Sequence, residues 1–120
     1  MVDFDVDITN SFSLALEDSG LFLVDAYNDP LLVLSNYRPN SYDLLLLDIN
    51  MPKKNGFELY DKIKELDNKV KACFISANDV AVLREQFPSF EVHCLIPEDI
   101  IQKPTEVSKL IERIELELLT

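Results

Sequence analysis

A carboxylate follows a run of four leucines and comes directly before a turn. The leucines occupy residues 44–47, Asp48 comes next, and the turn contains Pro52 and Gly56. An unbroken aliphatic run closed by turn residues is typical of a strand buried on both faces of a parallel sheet. Asp48 would lie at the carboxyl end of that strand, where open α/β sheets bind their ligands. We interpret Asp48 as a functional group, although an acid that only caps the turn would give the same pattern. Gly56 is expected to supply a backbone conformation closed to other residues.

Two further polar residues end predicted strands later in the chain. Ser76 ends the run at residues 70–76, and Lys103 ends the short run at residues 100–103. The carboxyl ends of parallel strands meet at one edge of a sheet, so Asp48, Ser76 and Lys103 should converge on one crevice. A carboxylate nucleophile, a hydroxyl donor and a positive charge, together with a divalent cation, are the groups that phosphoryl transfer uses. Considered alone, Ser76 could equally be an ordinary serine at a strand end. Lys103 alone could equally be an ordinary exposed lysine.

The rest of the chain alternates short aliphatic runs with helical patterns. Strands are predicted at residues 21–26, 44–48, 70–76 and 100–103. Helices are predicted at residues 6–19, from Asp29-Pro30 onward, at residues 57–66 and 79–87, and along the apolar stripe at residues 107–118. This alternation favours a parallel sheet with right-handed crossovers, covered by helices on both faces.

The amino-terminal segment has two interpretations. Apolar residues recur at helical spacing up to Leu16 and stop at Gly20, which predicts a helix over residues 6–19. Over residues 2–8, apolar residues alternate with acidic ones, which would instead suit a half-buried strand. We favour the helix because its stripe is longer and ends at a glycine. Only residues 1–4 then remain for a strand ahead of it, too few for a central strand.

The composition excludes several classes of function. The chain has 120 residues, a hydrophobic content of 48% and a net charge of −11. This is enough apolar material for the core of one domain, and the negative charge disfavours direct binding to nucleic acid. No apolar run reaches the roughly 18 residues of a membrane span, and Met1 is not followed by a signal segment, so we expect a cytoplasmic protein. Cys73 and Cys94 lie in apolar runs, as buried thiols do in a reducing compartment.

Short motifs stand at the ends of successive predicted strands. They are Val2-Asp3, Asp48-Ile49-Asn50-Met51-Pro52 with Gly56, Phe74-Ile75-Ser76-Ala77, and Gln102-Lys103-Pro104. In this order they resemble the motifs of response-regulator receiver domains, the phosphoacceptor modules of two-component signalling. The resemblance implies an α/β, flavodoxin-like (βα)5 three-layer sandwich around a parallel five-stranded sheet of order 2-1-3-4-5, here with a truncated first strand. Residues 1–120 are expected to form a single receiver domain without an output domain.

The resemblance assigns roles around a bound phosphoryl group. Asp48 would accept the group, and the Ser76 hydroxyl, the Ala77 backbone N–H and the Lys103 ammonium would bind its oxygens. Ser76, drawn toward the phosphoryl group, would start a structural switch. The second switch position holds Ile100, where receiver domains usually carry an aromatic residue, so the face around it is expected to be atypical.

The resemblance also implies a magnesium site. Asp3, Asp48 and the backbone carbonyl of Asn50 would supply the oxygen ligands that Mg²⁺ prefers. Receiver domains usually carry two adjacent acids after the first strand, but Phe4 occupies the second place here. Asp5 would substitute only if the loop shifted, so weaker Mg²⁺ binding is expected. The acids near the amino terminus would also suit the first turn of a helix, whose dipole favours negative charge.

Two functional hypotheses follow. The first is a single-domain response regulator that receives a phosphoryl group from a histidine kinase or phosphotransfer protein. It would signal through a downstream effector protein and could pair with a second copy. Such a phosphoacceptor assists its own phosphorylation and dephosphorylation and is not an enzyme acting on a separate substrate. The second is a pseudo-receiver, a protein–protein interaction module without phosphorylation, which Phe4 and the short first strand favour. A flavodoxin-like enzyme is not expected, because the chain has no glycine-rich phosphate loop.

Overall fold

The structure is a computed structural model that describes residues 1–87, 100–103 and 105–119. Its elements, in chain order, are α1 (Val6–Asp18), α2 (Pro30–Asn36), β1 (Leu44–Asp48), α3 (Gly56–Leu66), β2 (Lys71–Ser76), α4 (Val80–Gln86), β3 (Ile100–Gln102) and α5 (Val107–Leu119). The predicted helices and three of the four predicted strands are confirmed to within one or two residues. Cys94 and Pro104, which the sequence analysis named, lie outside the described residues.

The sheet is parallel and covered on both faces. Among the described residues, β1, β2 and β3 pair in that order. The β1 leucines point alternately to its two sides: Leu45 and Leu47 belong to a core cluster with Leu59 of α3, whereas Leu46 belongs to a second cluster with Leu16 of α1 and Leu110 of α5. The prediction of a strand buried on both faces is confirmed. The result is a three-layer arrangement, with α2, α3 and α4 on one side and α1 and α5 on the other. None of the described helices is long and apolar enough to cross a bilayer.

The amino-terminal segment adds single bridges to this sheet. Val2 forms isolated parallel bridges with Leu47 on one side and with Tyr27 on the other. The N–H of Val2 donates to the carbonyl of Leu46 at 2.8 Å, and the N–H of Asp48 donates to the carbonyl of Val2 at 2.9 Å. The spatial order is therefore Tyr27, Val2, β1, β2, β3. This is the order that 2-1-3-4-5 requires, with its first two places held by bridges in the described chain.

The strand predicted at residues 21–26 is wrong. The structure describes this whole segment and assigns no strand to it; pairing begins one residue later, at Tyr27. An extended segment becomes a strand only when its backbone groups pair with a neighbour. The backbone contacts of this segment lie at its end: the Met1 amino group donates to the carbonyl of Asp25 at 2.8 Å, and the N–H of Tyr27 donates to the carbonyl of Met1 at 2.9 Å. Beyond that point a groove of about 610 Å³ separates the segment from β1, and Leu23 is fully exposed at 100%.

The helical interpretation of the amino-terminal region is confirmed. The Asp5 side chain accepts hydrogen bonds from the N–H groups of Asp7 and Ile8, which caps the helix and starts it at Val6. The helix ends at Asp18, and Gly20, with φ of 76°, carries the chain out of it. The alternative strand over residues 2–8 is therefore wrong beyond Val2.

The turn after β1 corrects the role expected for Gly56. Of the described glycines, Gly20 has a positive φ and Gly56 does not; in the turn the left-handed residue is Lys53, with φ of 69°. Gly56 is needed for a different reason, a close approach of two backbone segments. A Cβ at this position would lie 2.6 Å from the backbone oxygen of Asp48. The glycine therefore lets α3 begin directly against the end of β1.

Candidate functional site

Three charged side chains meet at the carboxyl end of the sheet. The Lys103 Nζ lies 2.5 Å from Asp3 Oδ2 and 3.4 Å from Asp48 Oδ2. Asp3 and Asp48 are buried, and the Lys103 side chain is only 11% exposed. Buried charges are costly unless they are paired. Here one ammonium faces two carboxylates, so the fully ionised cluster keeps one uncompensated negative charge.

The sheet itself brings these side chains together. Asp48 ends β1, and Asp3 follows the Val2 bridge that pairs with β1. Lys103 follows β3, and its N–H donates to the carbonyl of Ser76 at the end of β2 at 2.8 Å. Three segments that are distant in sequence thus converge at the carboxyl edge of the sheet, where the predicted strand ends were expected to meet.

The surroundings of Asp48 change its acidity. The pKa of the Asp48 carboxyl is raised from 3.8 to about 6, chiefly by burial and next by the neighbouring charge of Asp3. The Lys103 ammonium and the N–H of Asn50, which donates to Asp48 Oδ1 at 3.3 Å, oppose these effects. The effects that raise the pKa are the larger ones. A further positive charge bound beside the ionised cluster would therefore stabilise it.

This raised pKa predicts a pH-dependent stability. Between about pH 4 and about pH 6 the folded state binds more protons at Asp48 than the unfolded state, so the free energy of unfolding should fall as the pH rises. In chelator-treated protein near neutral pH, Asp48→Asn is expected to raise that free energy by about 2 kcal/mol. Urea unfolding on both sides of this pH window measures the effect.

The control for this measurement is Asp43→Asn, which removes the same charge from an exposed position just before β1. It should leave both the stability and its dependence on pH nearly unchanged. Equal stability of Asp48→Asn and the unsubstituted protein near neutral pH would show that the carboxylate cluster is not under electrostatic strain.

Ser76 is connected to Asp48 through Asn50. The buried Ser76 hydroxyl donates to Asn50 Oδ1 at 2.9 Å, and Asn50 donates its backbone N–H to Asp48. The Ser76 Oγ also accepts the N–H of Asn78 at 3.0 Å. Ala77, between these two residues in sequence, is exposed. The Ser76 hydroxyl is therefore linked to the Asp48 carboxylate by hydrogen bonds that pass through one residue, Asn50.

Comparison with known proteins identifies the family of this chain. A family model for the response regulator receiver domain matches residues 1–115. The chain belongs to this family. It is a receiver domain of a two-component response regulator, and receiver domains are phosphoacceptor signalling modules that generally bind Mg²⁺.

Curated relatives include longer transcriptional regulators. The "Transcriptional regulatory protein CpxR homolog" of Haemophilus influenzae is 32% identical over 115 residues, which are 96% of this chain and 47% of that protein. The "Transcriptional regulatory protein PrrA" of Mycobacterium leprae is 29% identical over 115 residues, again 96% of this chain and 47% of that protein. The chain thus spans about half the length of these relatives.

Solved structures share the fold over almost the whole chain. The non-phosphorylated HemR receiver domain from Leptospira biflexa superposes with a TM-score of 0.79 at 25% identity, covering 99% of this chain and 91% of that one. A chain of the CheX–CheY–BeF3–Mg²⁺ complex from Borrelia burgdorferi gives a TM-score of 0.73 at 26% identity, covering 96% of this chain and 84% of that one.

The receiver domain offers oxygen ligands for Mg²⁺. Among the described residues no group of three or more His, Cys, Asp or Glu side chains could hold a metal ion. Mg²⁺ nevertheless needs only one or two carboxylates, because it keeps several waters. Asp3 and Asp48 form such a pair, with an uncompensated negative charge, and Asn50 follows with its backbone carbonyl. The donor set therefore fits Mg²⁺.

Two neighbouring residues bear on that site. Phe4, which occupies the place of the second acid, is 53% exposed and adds no oxygen ligand. The Asp5 carboxylate is exposed and accepts the N–H groups at the start of α1. A metal-ligating role for Asp5 would break this cap, and it stays a prediction.

Ile100, the expected switch position, lies in the core of the receiver domain. It is 5% exposed and belongs to the cluster that contains Phe74 and Leu83. It pairs with Phe74 in the sheet, so its side chain packs beneath α4. A role for Ile100 in switching stays a prediction.

One residue at the site was missed by the sequence analysis. Gln86 of α4 accepts hydrogen bonds from Asn50 Nδ2 at 3.2 Å and from Asn78 Nδ2 at 3.4 Å. Helix α4 agrees with the prediction at residues 79–87, but an exposed glutamine on a helix is ordinary and does not by itself indicate a site residue. Only the packing of α4 beside the ends of β1 and β2 reveals the contact.

Proposed function

We propose that this chain is a cytoplasmic receiver domain whose Asp48 accepts a phosphoryl group from a histidine kinase or phosphotransfer protein in a Mg²⁺-dependent reaction. The observation that carries the proposal is the Lys103 ammonium held 3.4 Å from the buried Asp48 carboxylate. Ser76 supports the proposal, because its hydroxyl is linked to Asp48 by hydrogen bonds through Asn50. A buried acid beside a buried ammonium and a hydroxyl is the arrangement that a phosphoacceptor requires.

The transfer follows from these groups. An ionised Asp48 oxygen attacks the phosphorus atom; the new O–P bond forms as the P–N bond of the donor's phosphohistidine breaks, and the imidazole nitrogen keeps the electron pair. The Lys103 ammonium then pairs with a phosphoryl oxygen in place of the Asp48 carboxylate. Ser76 and the backbone N–H of Ala77 donate to the other oxygens.

The cation completes the charge balance. Asp3, Asp48 and the backbone carbonyl of Asn50 would hold Mg²⁺, and the bound ion would neutralise charge on the phosphoryl oxygens. Asp3 would then exchange its contact with Lys103 for one with the cation. That exchange leaves Lys103 available for the phosphoryl group.

Incubation with acetyl phosphate and Mg²⁺, followed by intact-mass measurement, tests this function. The chain is expected to gain the mass of one phosphoryl group, because Asp48 is the nucleophile. Asp48→Asn should abolish the gain, and the matched exposed substitution Asp43→Asn should retain it. No gain under conditions that label another receiver domain would contradict the proposal.

The second candidate function is a pseudo-receiver that binds protein partners without phosphorylation. Phe4 at the place of the second acid favours it, because the site then has fewer ligands for Mg²⁺. A protein that stays unlabelled in the acetyl phosphate experiment would support this alternative. Signalling through an effector protein, pairing with a second copy and function without direct nucleic-acid contact stay predictions.

A further inference from the structure

Four polar residues beside Asp48 form a closed ring of hydrogen bonds, which we call the amide ring. Ser76 donates its hydroxyl to Asn50 Oδ1 at 2.9 Å, and Asn78 donates its backbone N–H to Ser76 Oγ at 3.0 Å. The side-chain amides of Asn50 and Asn78 both donate to Gln86 Oε1, at 3.2 Å and 3.4 Å. The ring joins the loops after β1 and β2 to α4.

The amide ring occupies the only proton that Ser76 can donate. A serine hydroxyl has one donor hydrogen and two acceptor sites. The hydrogen is directed to Asn50, and one acceptor site takes the N–H of Asn78. Ser76 is buried, so water cannot readily replace these partners. To donate to a phosphoryl group on Asp48, the hydroxyl must leave Asn50 and open the ring.

Gln86 fixes the orientation of the Asn50 side-chain amide. The Asn50 side chain presents its oxygen to Ser76 only while its NH₂ group points toward Gln86. Asn78 points its own NH₂ group to the same oxygen. A single carbonyl oxygen on α4 therefore orients both amides, and through Asn50 it orients the Ser76 hydroxyl.

We propose that Gln86 is a positioning residue that keeps the amide ring closed before phosphorylation, so that α4 sets the cost of turning Ser76 toward the phosphoryl group. The inference rests on the proposed function of Asp48. In this role the Gln86 oxygen, as a hydrogen-bond acceptor, couples the phosphorylation site directly to α4 at the domain surface. Loosening this contact should make the phosphorylated arrangement easier to reach.

Gln86→Leu and Gln86→Glu test the proposal, with Glu85→Leu as the matched control. Gln86→Leu removes the acceptor oxygen, whereas Gln86→Glu keeps one at the same distance along the side chain. Glu85→Leu places the same apolar residue at the neighbouring exposed position of α4, outside the ring. Residue 86 is exposed, so each variant should fold.

Two measurements are made on each variant. In the unphosphorylated protein, the side-chain amide NMR resonances of Asn50 and Asn78 should shift in Gln86→Leu and stay close to their original positions in Glu85→Leu. With acetyl phosphate and Mg²⁺, Gln86→Leu should be phosphorylated about fivefold faster, because Ser76 then turns toward the phosphoryl group at lower cost. The effect is modest because the hydrogen bonds to Gln86 each contribute little net free energy. Gln86→Glu, at constant ionic strength, should restore the original rate to within about twofold.

The outcomes separate this inference from the proposed function. If the unsubstituted chain is not phosphorylated at all, the proposed function fails, and the resonance shifts alone decide whether Gln86 orients the two amides. If the chain is phosphorylated but Gln86→Leu reacts at the same rate, the positioning role is overturned. It is also overturned if Gln86→Glu behaves like Gln86→Leu, because the acceptor oxygen would then not matter.

Discussion

The Gly56→Ala substitution is expected to lower the free energy of unfolding by about 3 kcal/mol, because overpacking against fixed backbone is expensive. An added Cβ would lie 2.6 Å from the backbone oxygen of Asp48 and 3.0 Å from the Cα of Ile49. Neither atom can rotate away as a side chain would. The N–H of Gly56 also donates to the carbonyl of Ile49 at 3.0 Å, which holds the two segments together. Relief of the clash must therefore displace the end of β1, and with it Asp48.

Gly20→Ala is the matched control for this measurement. Nothing lies within 4 Å of a Cβ at residue 20, but its φ of 76° disfavours alanine. Urea unfolding should therefore show a loss of only about 1 kcal/mol. If the two substitutions cost the same, or if Gly56→Ala leaves the stability unchanged, the close approach is not the reason for glycine at residue 56.

Phe4→Asp is expected to increase the affinity for Mg²⁺ by about tenfold or more, because a further carboxylate near the cation adds a strong attraction. Phe4 stands at the place where receiver domains usually carry their second acid, between Asp3 and the start of α1. Its side chain is 53% exposed, so little packing is lost when it is replaced. Titration calorimetry with Mg²⁺ at constant ionic strength measures the change, and faster labelling by acetyl phosphate should accompany it.

Val6→Asp is the control for this gain in affinity. Val6 is 54% exposed and lies two residues further on, at the first position of α1. The substitution adds the same charge in the same region but away from the loop that carries Asp3. If Val6→Asp raised the affinity as much as Phe4→Asp, the gain would come from net charge alone. If Phe4→Asp raised nothing, the metal site would not lie beside residue 4.

The sequence was most informative where local and long-range requirements agree. The leucines of β1 predicted a strand buried on both faces, and they pack into two separate core clusters. Helix α1 begins after the capping residue Asp5 and ends before Gly20, whose φ is positive; both are local effects. The strand expected at residues 21–26 was wrong because an aliphatic run gives only the tendency to extend. Its ladder depends on a partner, and in the described structure a groove separates these residues from β1.

The chain's own residues determined the chemistry of the receiver domain: an acid, a hydroxyl and an amine, each at the end of a strand. Strand ends could be predicted because hydrophobic runs and turn residues mark them, and parallel pairing brings them to one edge. Tertiary structure alone decided which atoms pair: Lys103 with both Asp3 and Asp48, and Gln86 with two asparagines. Those contacts depend on the packing of helices against the sheet to within an ångström, and no local pattern of residues encodes that distance.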